Sequence, residues 1–285
     1  FQNTFHQHGY TATGPGHFAI GSGMYPGPAG VLGNSYFDRD LGKVVNCVED
    51  PDALPLGGEG KGRSFSRYNN KAVGDFLKDV YPKSKVISVA GKDRSAIMLA
   101  GNNPDLVLYY NNIDRFITSD FYADSLPSFI DNFNNKLNLQ SYRDSLWTKL
   151  LPDSLYLKHS REDDFSGEID WYHVQHDAIN NKKTYSDEYE PTFPISFDKN
   201  HDPGQELMGT PWFDKALIDL SKMIISEEKI GLDENPDIFF IGLSAMDYII
   251  HNYGPFSQEA MDYFMRLDIQ LNELFKHIDN EIGLE

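Results

Sequence analysis

A single cysteine, Cys47, stands in 285 residues, so no disulfide forms within the chain and no cysteine-rich zinc module exists. That count leaves the redox compartment open. Basic residues are scarce: 25 Lys and Arg face 43 Asp and Glu, a formal charge of −18 at pH 7. Such a surface repels phosphate backbones, which argues against a nucleic-acid duplex or an anionic membrane as partner. An anionic small substrate would need a local positive pocket, supplied by a few basic side chains or by metal. Long apolar runs are missing too, and no stretch reads as a membrane span or as a basic-then-apolar secretory leader. Neither an internal repeat nor a low-complexity tract interrupts the chain.

What is present suffices for a substantial core. A hydrophobic fraction of 40% with 13% aromatics can fill one large α/β domain or two small ones. Three short runs, Ser84 to Gly91, Asp105 to Asn112 and Pro236 to Ala245, are β-branched or aromatic and bounded by turn residues, as buried strands are. Helices are expected between them: Asn69 to Asp79, one starting at an N-cap Thr210 with Pro211 behind it, and Ser257 to about Ile282. In the last, Ala260, Phe264, Leu267, Leu271, Leu274 and Ile278 recur in steps of three and four. That stripe suits a helix packed on a sheet, with a coiled coil as the alternative. Strands alternating with helices predict a mostly parallel sheet covered on both faces, a three-layer α/β/α sandwich with its chemistry at the carboxyl ends of the strands. The Asn-, Asp-, Tyr- and Ser-rich stretch at about 114–201 reads as an inserted cap-like excursion.

Reactive residue types gather in three places. In "TATGPGHFAI", Thr13 precedes Gly14-Pro15-Gly16 and a short predicted helix. A hydroxyl at a helix N-terminus faces unpaired amides and suits attack on a phosphoryl group; a plain N-cap threonine is the competing reading. In "GKDRSAI", Lys92 and Arg94 lie two apart after a strand, and in extended chain both would point to one side and converge on an anion. Solvated surface charges after a strand are common, so alone the pair is a weak signal. In "GLSAMDYIIHNYGP", Asp247 and His251 are four apart, so one helical turn would set a carboxylate and an imidazole on one face as zinc ligands. Random Asp-x-x-x-His pairs are frequent.

Together, "HGYTATGPGHFAIGSGMYPGPAGVLGNSYFDR", "SVAGKDRSAIMLAG" and "IGLSAMDYIIHNYGPFSQEAMDYFMRLD" resemble successive blocks of the alkaline phosphatase superfamily. The branch they resemble is that of the bacterial phosphate-irrepressible alkaline phosphatases, relatives of the nucleotide pyrophosphatase/phosphodiesterases. The ordered T-x-T-x-P-G-H and D-Y-x-x-H blocks are the specific part, and "FITSDFYADSLPSFIDNFN" extends the likeness into the excursion.

The resemblance implies a centre of two Zn²⁺ ions in the intact enzyme and zinc-dependent hydrolysis of small phosphate monoesters through a phosphothreonine. Thr13 would be nucleophile and zinc ligand, Asp247 and His251 ligands of the other zinc, and Asn34 a donor to a phosphoryl oxygen. Lys92 and Arg94 match the pair that contacts non-bridging oxygens in the monoesterase branch. A phosphodiesterase or nucleotide pyrophosphatase, and an inert phosphate- or metal-binding domain, are the alternatives. It also implies a periplasmic or secreted protein. The family pattern carries further ligands: an Asp ahead of the threonine block, an Asp-His pair and a last His. None is found in this sequence; His277 and Asp279 lie inside a helix. The ligand set is thus incomplete, and residues 1–285 are expected to be an internal part of a catalytic domain whose sheet continues at both ends.

Overall fold

The three apolar runs become the parallel part of a five-stranded sheet. In the computed structural model, which describes residues 5–165, 168, 192–196 and 202–283, they are strands β4 (Val86–Ala90), β5 (Leu106–Tyr110) and β9 (Ile238–Gly242). β4 lies between the other two, with Ile87 opposite Leu106 on one side and Val86 opposite Ile238 on the other. All of β4 and β5 is buried, as strands covered on both faces must be. Gly242 ends β9 where a Cβ would come within 2.6 Å of the Ala90 Cβ.

Beyond β5 the sheet turns antiparallel. Strands β6 (Phe116–Ser119) and β3 (Pro55–Leu56) complete the order β3-β6-β5-β4-β9. The reason is the connection: β5 and β6 are joined by a tight turn in which Asn111 Oδ1 accepts the amides of Ile113, Asp114 and Arg115. So short a link permits only an antiparallel neighbour. The sheet is therefore mixed, with the foreseen strands as its parallel core. A separate hairpin pairs β1 (Ser35–Asp38) with β2 (Lys43–Asn46).

Three helices pack with this sheet: α1 (Thr13–Ser22), α2 (Val73–Val80) and α3 (Asp93–Ala100). α2 starts later than the expected Asn69, because Ala72 is still extended. α1 lies close against α3: a Cβ on Gly21 would sit 2.5 Å from the Met98 carbonyl oxygen, so only glycine allows the approach. Phe18, Cys47, Phe65, Ile97, Met98 and Tyr109 share the core they enclose.

These elements belong to one of two compact units, residues Phe1–Lys136, Leu220–Gly242 and Glu281–Glu285. The other comprises Leu137–Asp219 and Leu243–Asn280. Of the expected excursion, residues 166–167, 169–191 and 197–201 lie outside the described residues, while its opening residues 114–136, with β6, lie in the first unit.

The second unit contains the paired strands β7 (Leu146–Trp147) and β8 (Ile195–Ser196), the helices Ala245–Tyr253 and Gln258–Glu281, and the start of Pro211–Glu228. Pro211 does open its helix, but Thr210 is no side-chain cap: its hydroxyl donates to the Leu207 carbonyl. The long helix is instead capped by Ser257, whose Oγ accepts from the Ala260 amide at 3.0 Å. Its expected stripe needs correction. Phe264 is 54% exposed, while Glu259, Asp262 and Gln270 are buried beside Ala260, Tyr263 and Leu274. Asp262 explains part of this, since it accepts from Trp147 Nε1, the Tyr156 hydroxyl, the Leu150 amide and Arg266 Nε. No described helix is long and apolar enough to cross a membrane.

Candidate active site

Thr13 occupies the first position of α1. Ala12, extended at φ −76° and ψ 167°, ends the preceding chain and offers no side-chain cap. Pro15 fits in the first turn because its missing N–H would have had no partner there. Since Ala12 holds the cap position, the N-cap reading of Thr13 is set aside. Its hydroxyl has no hydrogen-bond partner among the described residues. The His17 ring bonds back to the Thr13 carbonyl through Nδ1 at 2.8 Å, tying the turn together.

Asn34 meets the same turn. Its Oδ1 accepts the Gly14 amide at 2.7 Å, which leaves the Nδ2 group as the donor for a ligand. Gly14 is required here: a Cβ would lie 2.7 Å from Cys47 Sγ and 3.4 Å from Asn34 Oδ1.

Lys92 and Arg94 stand at the start of α3, and their geometry differs from an extended pair. Lys92 is extended, at φ −117° and ψ 134°, and forms the N-cap, whereas Arg94 is already in the first helical turn. Buried residues Ser95 to Ala100 pull this segment into a helix directly after β4. Lys92 is only 9% exposed. Arg94 Nη1 contacts Asp93 Oδ1 at 3.1 Å, and its Nε is buried with no acceptor.

Cys47 connects the two helix starts. Burial pushes its thiol up to about 12, and the charges of Arg94, Asp93 and Arg63 act on it. Its sulfur also touches the space beside Gly14. The Gly14 turn, held by Asn34, therefore lies beside one buried thiol on which the Arg94 charge also acts, and at neutral pH that thiol is itself no nucleophile. First-turn amides of both helices are already capped by side chains, Gly14 by Asn34 and Arg94 by Asp93.

Asp247 and His251 belong to the second unit. They lie one turn apart on the helix Ala245–Tyr253, with Asp247 Oδ1 3.7 Å from His251 Nε2 and each side chain 48% exposed. The helix start is fixed by Asp214, fully buried, whose carboxylate accepts the amides of Ser244 and Ala245 and the Tyr263 hydroxyl. A carboxylate and an imidazole on one face fit zinc chemically, though a catalytic zinc takes about three protein ligands. Among the described residues no group of three or more His, Cys, Asp or Glu converges to hold a metal ion.

Sequence reasoning missed Asp93, Arg63 and Asp214. Asp93 lies inside the quoted "GKDRSAI", and an aspartate in a helix first turn is a readable signal. Arg63 and Asp214 carry none, because their partners are distant in sequence.

The chain is similar to known phosphatases over nearly its whole length. Alkaline phosphatase PafA of Elizabethkingia meningoseptica is 30% identical over 280 residues, covering 96% of this chain and 48% of that protein. Alkaline phosphatase PhoV of Synechococcus elongatus is 30% identical over 287 residues, covering 99% and 50%. The crystal structure of wild-type PafA superposes with a TM-score of 0.80 at 29% identity, over 96% of this chain and 51% of that one. The chain thus spans about half the length of the relatives it matches. The sequence profile of the type I phosphodiesterase / nucleotide pyrophosphatase family matches residues 2–285, and the chain belongs to that family.

Proposed function

We propose that the natural protein carrying this chain hydrolyses small phosphate monoesters, with Thr13 as nucleophile. The observations that support it most are the bond holding Asn34 to the turn that carries Thr13, and the Arg94 Nε, buried and lacking an acceptor, in a guanidinium whose charge acts on the Cys47 thiol beside that turn. A buried guanidinium N–H without a partner is costly unless an anion takes it.

In this reading the Thr13 oxygen attacks phosphorus, its proton passes to solvent, and the bond to the leaving alcohol breaks. The departing oxygen gains a proton, and a phosphothreonine remains. Water then attacks the same phosphorus, the Thr13 oxygen leaves and recovers a proton, and inorganic phosphate is released. Asn34 Nδ2 donates to one non-bridging oxygen, and Lys92 and Arg94 hold the others, where charge accumulates in a loose transition state. Thr13 would be a ligand of one Zn²⁺ ion, and Asp247 and His251 ligands of another. Zinc, when bound, lowers the pKa of a coordinated hydroxyl or water and stabilises charge on a leaving oxygen. Kinship with the alkaline phosphatases also favours a periplasmic or secreted setting.

Diester hydrolysis is the second reading, favoured by the name of the matched family. Trapping the phosphoenzyme from a labelled monoester tests the first. Thr13→Ala should abolish the label and Thr11→Ala should leave it; the reverse would shift the nucleophile by two residues.

A further inference from the structure

We propose that Asp93 is a positioning residue that fixes the Arg94 guanidinium by bridging it to Arg63, and that this triad matches the site to a dianionic phosphoryl group. The proposal rests on the role given above to Arg94. An aspartate in the first turn of a helix ordinarily does no more than complement the positive end of the dipole. Asp93 does more. Oδ1 accepts both the Arg94 amide at 2.7 Å and Arg94 Nη1 at 3.1 Å. Oδ2 forms an ion pair with Arg63 Nε at 3.1 Å. The carboxylate is thus shared between two guanidiniums, and all three side chains are largely buried, at 12% exposure for Arg63, 17% for Asp93 and 23% for Arg94.

Arg63 is itself firmly held. Its carbonyl accepts from Ser119 Oγ at 2.7 Å, at the end of β6, and its backbone pairs with Glu49. The chain just before it passes so close to Ala53 that a Cβ on Gly62 would lie 1.8 Å from the Ala53 carbonyl oxygen. Asp93 therefore transmits a rigid anchor from the end of β6 to the first turn of α3. A guanidinium restrained through Nη1 presents its buried Nε in one orientation, and a restrained donor loses less entropy when an anion arrives.

The charges support the same role. Arg63 and Arg94 less Asp93 leave one net positive charge in the triad, which draws an anion toward Arg94. Without the carboxylate, two guanidiniums would repel each other across a partly buried gap, and Arg94 would turn away from its present position.

The test is a double-mutant cycle in the full natural protein, with monoester kcat/KM, the monoester-to-diester ratio and calorimetric binding of inorganic phosphate as readouts. Asp93→Asn keeps the shape and loses the charge; Asp93→Ala removes both acceptors. Monoester kcat/KM should fall on the order of tenfold in Asp93→Asn and further in Asp93→Ala, with phosphate binding weakened and diester hydrolysis changed less. In an Arg94→Ala background, Asp93→Asn should change any of these by less than about twofold, because its effect runs through Arg94. Melting curves identify variants that fail to fold, and Arg63→Ala then supplies the second cycle: its loss should vanish when Asp93 is absent. Additive losses of Asp93 and Arg94, or an Asp93→Asn variant with unchanged phosphate affinity, would overturn the proposal alone. A wild-type monoester rate untouched by Arg94→Ala would overturn the functional reading as well.

Discussion

Asn34 Oδ1 lies 2.7 Å from the Gly14 amide nitrogen, so the side chain offered to a ligand is held by the backbone turn that carries Thr13. Gly14 has no room for a side chain, since a Cβ would meet Cys47 Sγ at 2.7 Å. Gly14→Ala should therefore destabilise the protein by about 1 to 3 kcal/mol, the usual cost of overpacking, and displace Thr13 and Asn34 together. Cys47→Ala removes the obstructing sulfur. Gly14→Ala with Cys47→Ala should recover part of the loss in melting temperature. Strictly additive shifts in the two variants would show that the clash with Cys47 is not the cause.

Lys92 and Arg94 give the substrate-class prediction. A monoester carries one more negative charge on its non-bridging oxygens than a diester, so contacts to those oxygens stabilise its transition state more. Losing a charge-assisted contact worth about 1.5 to 3 kcal/mol lowers monoester kcat/KM by roughly ten to a hundredfold. Arg94→Ala should show that loss, and Lys92→Ala a similar one, with smaller effects on a diester. Equal losses on both substrates would favour the diesterase reading.

How far the sequence carried this far depends on the length and burial of each element. β4, β5 and β9 are legible because each is a continuous apolar run between turn residues. β6 is just as buried but only four residues long, and it hides behind the Asn- and Asp-rich turn that begins at Asn111. α3 escapes notice because its residues Ser95 to Ala100 are buried all round, which leaves no amphipathic period to detect. That is why Lys92 and Arg94 read as an extended pair. The Asp247–His251 spacing, by contrast, is purely local, and one helical turn delivers it. In the helix Gln258–Glu281 the buried carboxylate of Asp262 defeats any apolar-stripe reading, since its partners come from far along the chain.

Asp214 yields a stability prediction with a functional consequence. Its buried carboxylate accepts two backbone amides at the start of the helix bearing Asp247 and His251, and the Tyr263 hydroxyl at 2.6 Å. Asp214→Asn retains the volume but puts an NH₂ where a donor already points. The expected cost is about 2 to 3 kcal/mol, read as a lower denaturation midpoint. Zinc content, measured by elemental analysis of the natural protein, should fall with it if Asp247 and His251 are ligands as proposed, because their turn loses its anchor. A variant with wild-type stability and zinc content would remove Asp214 from this role.

Glu259 supplies the pH prediction. Its side chain is fully buried, and its carboxylate oxygens make no well-formed hydrogen bond among the described residues, although its own amide and the Ser257 hydroxyl lie near enough to lower the pKa in part. Burial raises its pKa from 4.5 to about 8, and the negative charges of Glu168 and Asp163 push in the same direction. Arg161, which pairs with Glu168 through Nη2, is the nearby cation and spends its charge there. The folded state therefore holds a proton on Glu259 that the unfolded state gives up above pH 4.5. By linkage, stability is greatest below the unfolded pKa, declines as pH rises through neutrality and levels off above the folded pKa. Glu168, also raised by burial, adds to the same slope. Glu259→Gln cannot titrate, so its melting temperature relative to wild type should climb steadily between pH 5 and roughly 8, with the variant the more stable at the alkaline end. Parallel profiles across that range would mean that Glu259 is already ionised in the folded protein at neutral pH.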